Sequence, residues 1–198
     1  MAVGFPTKTT FTDGSTLAAS DLNDITGTLN TIVNGGGYYA IGGLQLVKTQ
    51  TIGSAVSSVT VTGAFSSTYD NYKILISGGV GSVATTISLT LGSTTTNYQG
   101  VLNYANYAGT TVTPAASNVS NFQFAGSVDT NANPFSAELI NPFLSTQTYI
   151  ESVYIATLNA GKFIGRQNST TSFTAFTLAP ASGTLTGGTI YVYGYYKG

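Results

Sequence analysis

Strict alternation of apolar and polar residues in many short segments is the feature that most limits how this chain can fold. Residues 59–62 and 86–91 alternate at every position, which is the period of a strand with one buried face. Similar segments recur from Leu44 onward, separated by Gly, Pro, Asn and Ser. We therefore predict a mainly β chain, an antiparallel β-sandwich over residues 44–198, with a jelly roll as the preferred strand order. The predicted strands cover residues 44–49, 59–62, 72–77, 86–91, 98–104, 121–125, 135–140, 149–158, 162–166, 172–178 and 189–196.

The first 43 residues carry a different pattern, that of a short helix followed by a flexible joint. Ser20 is a favourable helix N-cap, and Asp21 and Asp24 follow in the first turn, where the helix dipole favours negative charge. We predict an N-terminal arm with one short helix over residues 1–36, for oligomerisation and attachment, and a glycine-rich linker over residues 37–43. The apolar residues of the helix are spaced by three, four and three positions: Leu22, Ile25, Leu29 and Ile32.

This apolar stripe is too short to hold a helix in water by itself. It has to pack on another surface, and the helix alone leaves two alternatives open: packing on the following domain, or self-association around a symmetry axis. The mixture of Ile and Leu in the stripe favours three associating helices over two. The stripe residues are therefore the candidate oligomerisation residues.

Charged residues are scarce in this chain. Asp, Glu, Lys and Arg make up 7% of it, against about 25% in an average soluble domain. A surface with so little charge has little self-repulsion in solution, so we expect partners or a fixed place in an assembly to cover much of it. The six basic residues are spread along the chain and the net charge is −1, which argues against nucleic acid as a partner.

The chain contains no His and no Cys, which removes several kinds of chemistry. Without His there is no Ser-His-Asp triad and no imidazole base or metal ligand; without Cys there is no thiolate nucleophile, zinc cluster or disulfide. We predict no catalytic residue, no cofactor and no metal site. There is also no secretory signal peptide at Met1 and no apolar run of about 18 residues, so we expect no membrane insertion and a chain that is folded inside a cell and released by lysis.

Three segments resemble bacteriophage proteins. Residues 11–23 (FTDGSTLAASDLN) resemble the N-terminal segment of tailed-phage fibre and virion proteins, in which a similar phrase opens a short oligomerising helix. Residues 69–76 (YDNYKILI) and 188–196 (GTIYVYGYY) resemble phage β-sandwich domains attached to tail fibres, tail tips or capsid surfaces. The chain lacks the long central shaft of a full-length fibre.

The resemblance implies a homotrimeric virion structural protein on the exterior of the particle, made in the host cytoplasm: a short fibre, a knob or a decoration subunit. Its partners are then copies of itself and other virion proteins, and both the tail and the capsid remain open as its place. The alternative function, from a different class, is a carbohydrate-binding module that recognises a glycan receptor at the host surface. A hydrolase is a third and distant alternative.

Glu138 and Glu151 are the two glutamates of the chain. If residues 141–148 form the loop of a hairpin, a symmetric register brings them opposite each other, and paired carboxylates can hydrolyse glycosides. Opposed carboxylates are destabilising without a cation, which Lys162 or Arg166 on the next strand can supply. We expect a non-catalytic pair on a solvated or intersubunit face.

The last predicted strand is rich in tyrosine. Alternation places Tyr191, Tyr193 and Tyr195 on one face and Tyr196 on the other. Exposed tyrosines can stack on sugar rings or anchor a protein partner, so these four are the candidate partner or glycan contacts. The plainer interpretation, which we favour, assigns one face to the sandwich core and the other to an intersubunit contact.

Polar loops are weaker candidates, and we expect solvated turns there rather than glycan sites. Residues 78–81 (GGVG) are predicted to be a turn, because no Lys-Ser/Thr pair and helix follow them as a phosphate loop requires. The loops rich in Ser, Thr and Asn are residues 93–97, 109–118, 129–133 and 167–172.

Two groups of residues carry candidate oxygen ligands for calcium. Asp70 with Asn71, or Asp129 with Asn131 and Asn133, supply suitable oxygens. Neither group has the spacing of a known calcium loop, so no metal site is predicted from them.

Overall fold

The computed structural model describes residues 43–197, which form fifteen β-strands and no helix. The longer strands alternate buried and exposed positions, as in Thr148–Ile155, where every second residue is buried. This alternation arises because one face of the strand packs on the core. In chain order the strands are β1 (Leu44–Thr51), β2 (Val59–Val61), β3 (Asn71–Ser77), β4 (Val80–Gly81), β5 (Thr85–Leu91), β6 (Tyr98–Asn106), β7 (Thr111–Val112), β8 (Ala115–Val119), β9 (Phe122–Val128), β10 (Ser136–Ile140), β11 (Thr148–Ile155), β12 (Asn159–Gln167), β13 (Phe176–Pro180), β14 (Leu185–Thr186) and β15 (Thr189–Tyr195).

Two sheets carry most of these strands. The large sheet has nine strands in the order β1-β15-β3-β10-β11-β12-β6-β7, with β8 also paired to β6. The small sheet has four strands in the order β2-β13-β5-β9, and β14 pairs with β4 in a separate ribbon. Neighbouring strands are antiparallel. The described part of the chain is therefore mainly antiparallel β, which confirms that part of the prediction.

The two sheets face each other across one hydrophobic core. Phe122 of the small sheet packs edge-to-face on two rings of the large sheet, with centroids 4.8 Å from Tyr98 and 6.1 Å from Phe163. The Tyr98 hydroxyl accepts a hydrogen bond from the backbone N–H of Leu91 at 2.8 Å, and burial raises the pKa of Tyr98 to about 12. The arrangement is sandwich-like, with the side chains of both inner faces filling one core.

Eight strands pass back and forth between the two sheets as the chain proceeds. When these eight are numbered in chain order, they lie in the order 1-8-3-6 in the large sheet and 2-7-4-5 in the small sheet. Two insertions, β6 to β8 and β11 to β12, extend the large sheet beyond β10. The eight strands are β1, β2, β3, β5, β9, β10, β13 and β15.

Every predicted strand overlaps an observed one, but two predicted turns contain short strands. Val80–Gly81 pairs with Leu185–Thr186, directly after the positive-φ turn at Gly78 and Gly79. Residues 109–118, predicted as a loop, contain β7 and most of β8, which pair with β6. Pairing with another strand, rather than local alternation, defines these elements. The predicted N-terminal helix and nearly all of the linker, residues 1–42, lie outside the described residues.

The first and last strands fix the direction of the large sheet. Leu44 of β1 lies opposite Tyr195 of β15, which defines what we call the proximal end. At the other end of this strand pair, Thr51 lies opposite Thr189, and Thr189 lies opposite Ser77 of β3. The register through β10 places the turn between β11 and β12 beyond this second end, which we call the far end.

Candidate binding surfaces

The outer face of the large sheet carries a row of ionic side chains across four neighbouring strands. Lys73 lies opposite Glu138, and Glu138 lies opposite Glu151, in the symmetric hairpin register that the sequence predicted. The Lys73 Nζ donates to Glu138 Oε1 at 3.0 Å, and Lys162 of β12 pairs with Glu151. A shallow depression of about 230 Å³ opens over this row. Each carboxylate thus has its own lysine.

Tyr195 adds a further hydrogen bond to this row. The Tyr195 hydroxyl donates a hydrogen bond to Glu138 Oε1 at 2.8 Å. The pKa of Tyr195 is raised to about 12, mainly because the hydroxyl is buried and to a lesser extent because of this hydrogen bond. The hydrogen bonds from Lys73 and then Tyr195 hold the pKa of Glu138 below its ordinary value. A glycosidase needs one carboxyl group with a raised pKa as its general acid. The environment of Glu138 therefore stabilises its ionised form.

The tyrosines of β15 alternate as the sequence predicted. Tyr191, Tyr193 and Tyr195 lie on the outer face, and the residues between them are buried. The rings of Tyr191 and Tyr193 stack with their centroids 6.3 Å apart. Tyr196 follows the end of β15 and is 42% exposed. The strand therefore presents a stacked, half-exposed tyrosine pair on its outer face.

Large apolar side chains are exposed on the same outer face. Ile164 of β12 is 57% exposed, although it lies between Glu151 of β11 and Val101 of β6. Arg166, the other cation expected near the glutamates, instead donates to Gln99 Oε1 at 2.8 Å. This outer face therefore mixes exposed apolar and ionic side chains. The exposed apolar residues of this face are Leu44, Leu46, Val101, Ile140, Tyr149, Val153, Ile155 and Ile164.

The outer face of the small sheet carries short hydroxyl side chains. Thr177 of β13 lies between Thr60 of β2 and Thr90 of β5, and the Thr60 and Thr177 hydroxyl oxygens are 2.9 Å apart. In the adjoining row the Ser88 hydroxyl donates to the Ala179 carbonyl oxygen at 3.1 Å. Threonine favours strands and pairs across them, so this face satisfies the β pattern without an apolar surface.

A groove of about 370 Å³ lies at the far end, with walls from both sheets. The small sheet supplies the start of β5 and the end of β9, and the large sheet supplies the end of β11 and the turn into β12. The volume falls within the range of small-molecule sites. The lining residues are Ala84, Thr85, Thr86, Val128, Asp129, Tyr154, Ala156, Thr157, Leu158 and Asn159.

Asp129 organises one wall of this groove. Its Oδ1 accepts hydrogen bonds from the backbone N–H groups of Asn131 (2.6 Å) and Ala132 (3.2 Å), and its Oδ2 accepts one from the Thr157 hydroxyl (3.1 Å). These bonds, led by the one from Asn131, hold the pKa of Asp129 below its ordinary value. The carboxylate is therefore ionised at neutral pH and links the loop after β9 to the β11–β12 turn.

The two aspartates among the candidate calcium ligands make contacts within the chain. Asp70 forms an ion pair with Lys197 at 2.9 Å, and Asp129 accepts the three bonds described above. Between residues 43 and 197 there is no group of three or more acidic side chains that could hold a metal ion. No helix in that range is long and apolar enough to cross a bilayer.

Sequence reasoning did not find the groove, because its walls come from β5, β9 and the β11–β12 turn, which are far apart in the chain. The part of the groove that the sequence does mark is the polar loop at residues 129–133, for which the sequence alone predicts a solvated turn. The predicted oligomerisation residues lie outside the described residues, and they are Leu22, Ile25, Leu29 and Ile32.

Comparison with known proteins does not assign the chain to a family. No protein-family model matches the sequence, and no curated protein matches it. Among solved structures, the infectious bursal disease virus VP2 subviral particle is similar at 10% sequence identity and a TM-score of 0.13, over 77% of this chain and 42% of that one. This chain thus spans less than half the length of that protein. A match at this level carries no argument about fold or function, and the function has to be inferred from the sequence and from the surfaces themselves.

Proposed function

We propose that this chain is a structural protein of a bacteriophage virion, a homotrimeric short fibre, knob or decoration subunit on the exterior of the tail or the capsid. The observation that carries the proposal is the outer face of the large sheet, where eight large apolar side chains stay exposed in a chain with only 7% charged residues. A patch of this kind marks a surface that another protein covers. The resemblance of residues 11–23 to tailed-phage virion proteins supports a place in a phage particle.

A second copy of the chain is the partner that fits this face. Strands spaced by about 4.8 Å and about 25 Å long give the eight-strand path a face of roughly 800 Å², which is one side of a standard-size interface. Lys73, Lys162 and Arg166 stand among Glu138 and Glu151 on it, so copies that meet here bring both signs of charge to the contact.

The N-terminal stripe adds to this contact. Burial of a few aliphatic side chains contributes roughly several kcal/mol per subunit, at about 25 cal/mol per Å² of apolar surface. Association has its own cost in translational and rotational freedom, so the stripe alone gives a marginal trimer. The sandwich faces supply the remainder.

We also propose that the sandwich is a jelly roll. Its support is the strand order, because the sequence 1-8-3-6 in one sheet and 2-7-4-5 in the other is the order in which a jelly roll folds eight strands over two sheets. The two insertions leave this order unchanged, since they only extend the large sheet.

The assembly is tested by light scattering on the purified full-length chain. We expect a mass of three chains of 20.4 kDa each, and Leu29→Asp reduces trimer formation because it places a charge in the apolar stripe. Asn30→Asp adds the same charge beside the stripe and leaves the trimer intact. A stable wild-type monomer contradicts the proposal.

The place in the virion is tested by electron microscopy of intact particles. We expect density for this chain in three-fold groups on the exterior of the tail or the capsid. A map in which the strands can be followed also tests the jelly-roll order. Particles that lack the chain contradict the virion proposal.

We further propose that the chain is not an enzyme. The lowered pKa of Glu138 and the lysine paired with each glutamate support this, since a glycosidase needs one carboxyl group with a raised pKa as its general acid. In a depolymerase assay on host-surface polysaccharide, the wild type and the double variant Glu138→Gln, Glu151→Gln both stay at the blank level. A wild-type activity that the double variant loses contradicts the proposal.

Recognition of a host-surface glycan is the second candidate function, and it is compatible with the first. The stacked pair of Tyr191 and Tyr193 favours it, because half-exposed tyrosine rings can stack on sugars. The test is a pull-down of host cells or lipopolysaccharide by the full-length protein. Retention that depends on these two rings supports the second function, and no retention contradicts it.

A further inference from the structure

The groove at the far end combines an apolar floor with polar groups around it. Val128, Tyr154 and Ala156 supply the apolar part, and the Tyr154 ring packs near that of Tyr104 with their centroids 6.0 Å apart. A sugar ring has an apolar face of C–H groups and a periphery of hydroxyls, so it needs both kinds of surface in one site.

The polar groups of the groove match the hydroxyls of a sugar, which donate and accept hydrogen bonds at once. Thr85 and Thr157 contribute hydroxyls, and Asp129 contributes a carboxylate acceptor. The amide oxygen of Asn159 is buried and has no hydrogen-bond partner within the part of the chain that the structure describes. Unused hydrogen-bonding capacity of this kind costs free energy, and it lies in a residue of the groove lining.

The charge of the groove selects among saccharides. Among residues 43–197, Asp129 is the ionisable side chain of the lining besides the Tyr154 hydroxyl, and no Lys or Arg of that range lines the groove. A carboxylate without a neighbouring cation repels sialic acids, uronic acids and sugar phosphates. We propose that this groove is a binding site for a neutral saccharide.

Two exposed apolar side chains beside the groove extend the surface that a saccharide can cover. Leu158 in the β11–β12 turn is 72% exposed and Tyr107 after β6 is 67% exposed. The backbone N–H of Tyr107 donates to the Leu158 carbonyl oxygen at 3.1 Å, which holds the two turns side by side. A second sugar ring leaving the groove meets these side chains.

The groove lies at the far end of the large sheet, opposite the proximal end where residue 43 leads into β1. The saccharide site does not rest on the proposed virion function.

The site is tested by saturation-transfer NMR on the full-length protein. The probes are glucose, galactose, mannose, rhamnose and N-acetylglucosamine, with N-acetylneuraminic acid as the acidic probe. We expect transfer to at least one neutral sugar and none to the acidic one. Thr157→Val keeps the side-chain shape, removes the hydroxyl together with its bond to Asp129, and weakens binding at least about threefold to tenfold.

A blocking variant and its matched control locate the binding. Ala84 is exposed on the rim of the groove, so Ala84→Trp fills the groove from outside the core and abolishes binding, while Ala84→Ser retains it. Binding that survives Ala84→Trp, equal binding of the acidic sugar, or no binding of any neutral sugar overturns the proposal.

Light scattering on the same samples separates this proposal from the virion proposal. A monomer that binds a neutral sugar contradicts the trimer and supports the groove. A trimer that binds no sugar supports the assembly and overturns the groove. Binding that Tyr191→Ala removes and Ala84→Trp leaves intact moves the sugar site to the β15 tyrosines and overturns the groove as well.

Discussion

The outer faces of the two sheets follow the same alternation but carry different side chains. On the small sheet, the row through Thr60, Thr177 and Thr90 presents hydroxyls. On the large sheet, the corresponding outer positions carry ion pairs and aliphatic side chains such as Ile164 and Val101. Most inner positions are buried in both sheets, so the inner pattern does not distinguish them. In a charge-poor sandwich, the chemistry of the outer positions is what indicates which face a partner covers.

The largest expected effect is on assembly, and it separates the two faces directly. Ile164→Asp places a charge beside Glu151 in a contact that excludes water, so we expect at least about a tenfold weaker association. Thr90→Asp makes the same change in charge on the small sheet and leaves the mass unchanged. Light scattering over a dilution series measures both. Equal effects of the two variants contradict the assignment of the interface to the large sheet.

The next effect is on the stability of the large sheet. Glu138→Gln removes the anionic acceptor of both Lys73 and Tyr195, and we expect the free energy of unfolding to fall by about 1 kcal/mol. Glu151→Gln is the matched control with a smaller expected effect, because its pair with Lys162 is more exposed. Urea unfolding of the variants provides the comparison. A larger loss of unfolding free energy for Glu151→Gln than for Glu138→Gln contradicts the greater contribution of Glu138.

Acid titration tests the same row through the pH dependence of stability. The folded-state pKa of Glu138 is lower than its ordinary value of 4.5, so its contribution to stability is present above that value and is lost as the pH falls through the folded pKa. The pKa of Asp129 is also lower than its ordinary value of 3.8, so the contribution of Asp129 to stability is likewise lost as the pH falls through its folded pKa. We expect Glu138→Gln to flatten the loss of stability on acidification in thermal unfolding, while Thr60→Val leaves it unchanged. If the loss of stability on acidification is as steep in Glu138→Gln as in the wild type, Glu138 does not contribute to the pH dependence.

The smallest effect is expected on the small sheet. Thr60→Val removes one hydroxyl of the pair with Thr177 at an exposed position, where valine suits a strand equally well. We expect a change in unfolding free energy within about 0.5 kcal/mol and no change in mass. A clear loss of trimer in this variant shows that the small sheet is also covered by a partner.

Much of the fold could be predicted from the sequence because the longer strands alternate locally. The register of Glu138 with Glu151 followed from the symmetry of a single hairpin, and the common face of Tyr191, Tyr193 and Tyr195 followed from period two. The two-residue strands β4 and β14 could not be predicted. Val80–Gly81 is a strand because it pairs with Leu185–Thr186, about a hundred residues later in the chain. No local sequence pattern predicts that pairing.

The candidate sites divide in the same way. The tyrosine pair and the ion row lie within neighbouring strands, so they can be predicted from alternation and hairpin symmetry. The groove depends on how Asp129, Tyr154 and Thr85 converge from three separate segments, which is a property of tertiary packing. The sequence also does not decide whether Lys162 or Arg166 approaches Glu151. This depends on how β12 pairs with β11.

The side-by-side run of β1 and β15 determines how the domain responds to a mechanical load. Their backbone hydrogen bonds extend from Leu44 to Thr51 and lie across the strand direction. A pull on residue 43 against a weight held at the far end acts lengthwise along β1, so these bonds are sheared together instead of opening one after another. A tether at one end and a cargo at the other therefore load the sheet in its most resistant direction.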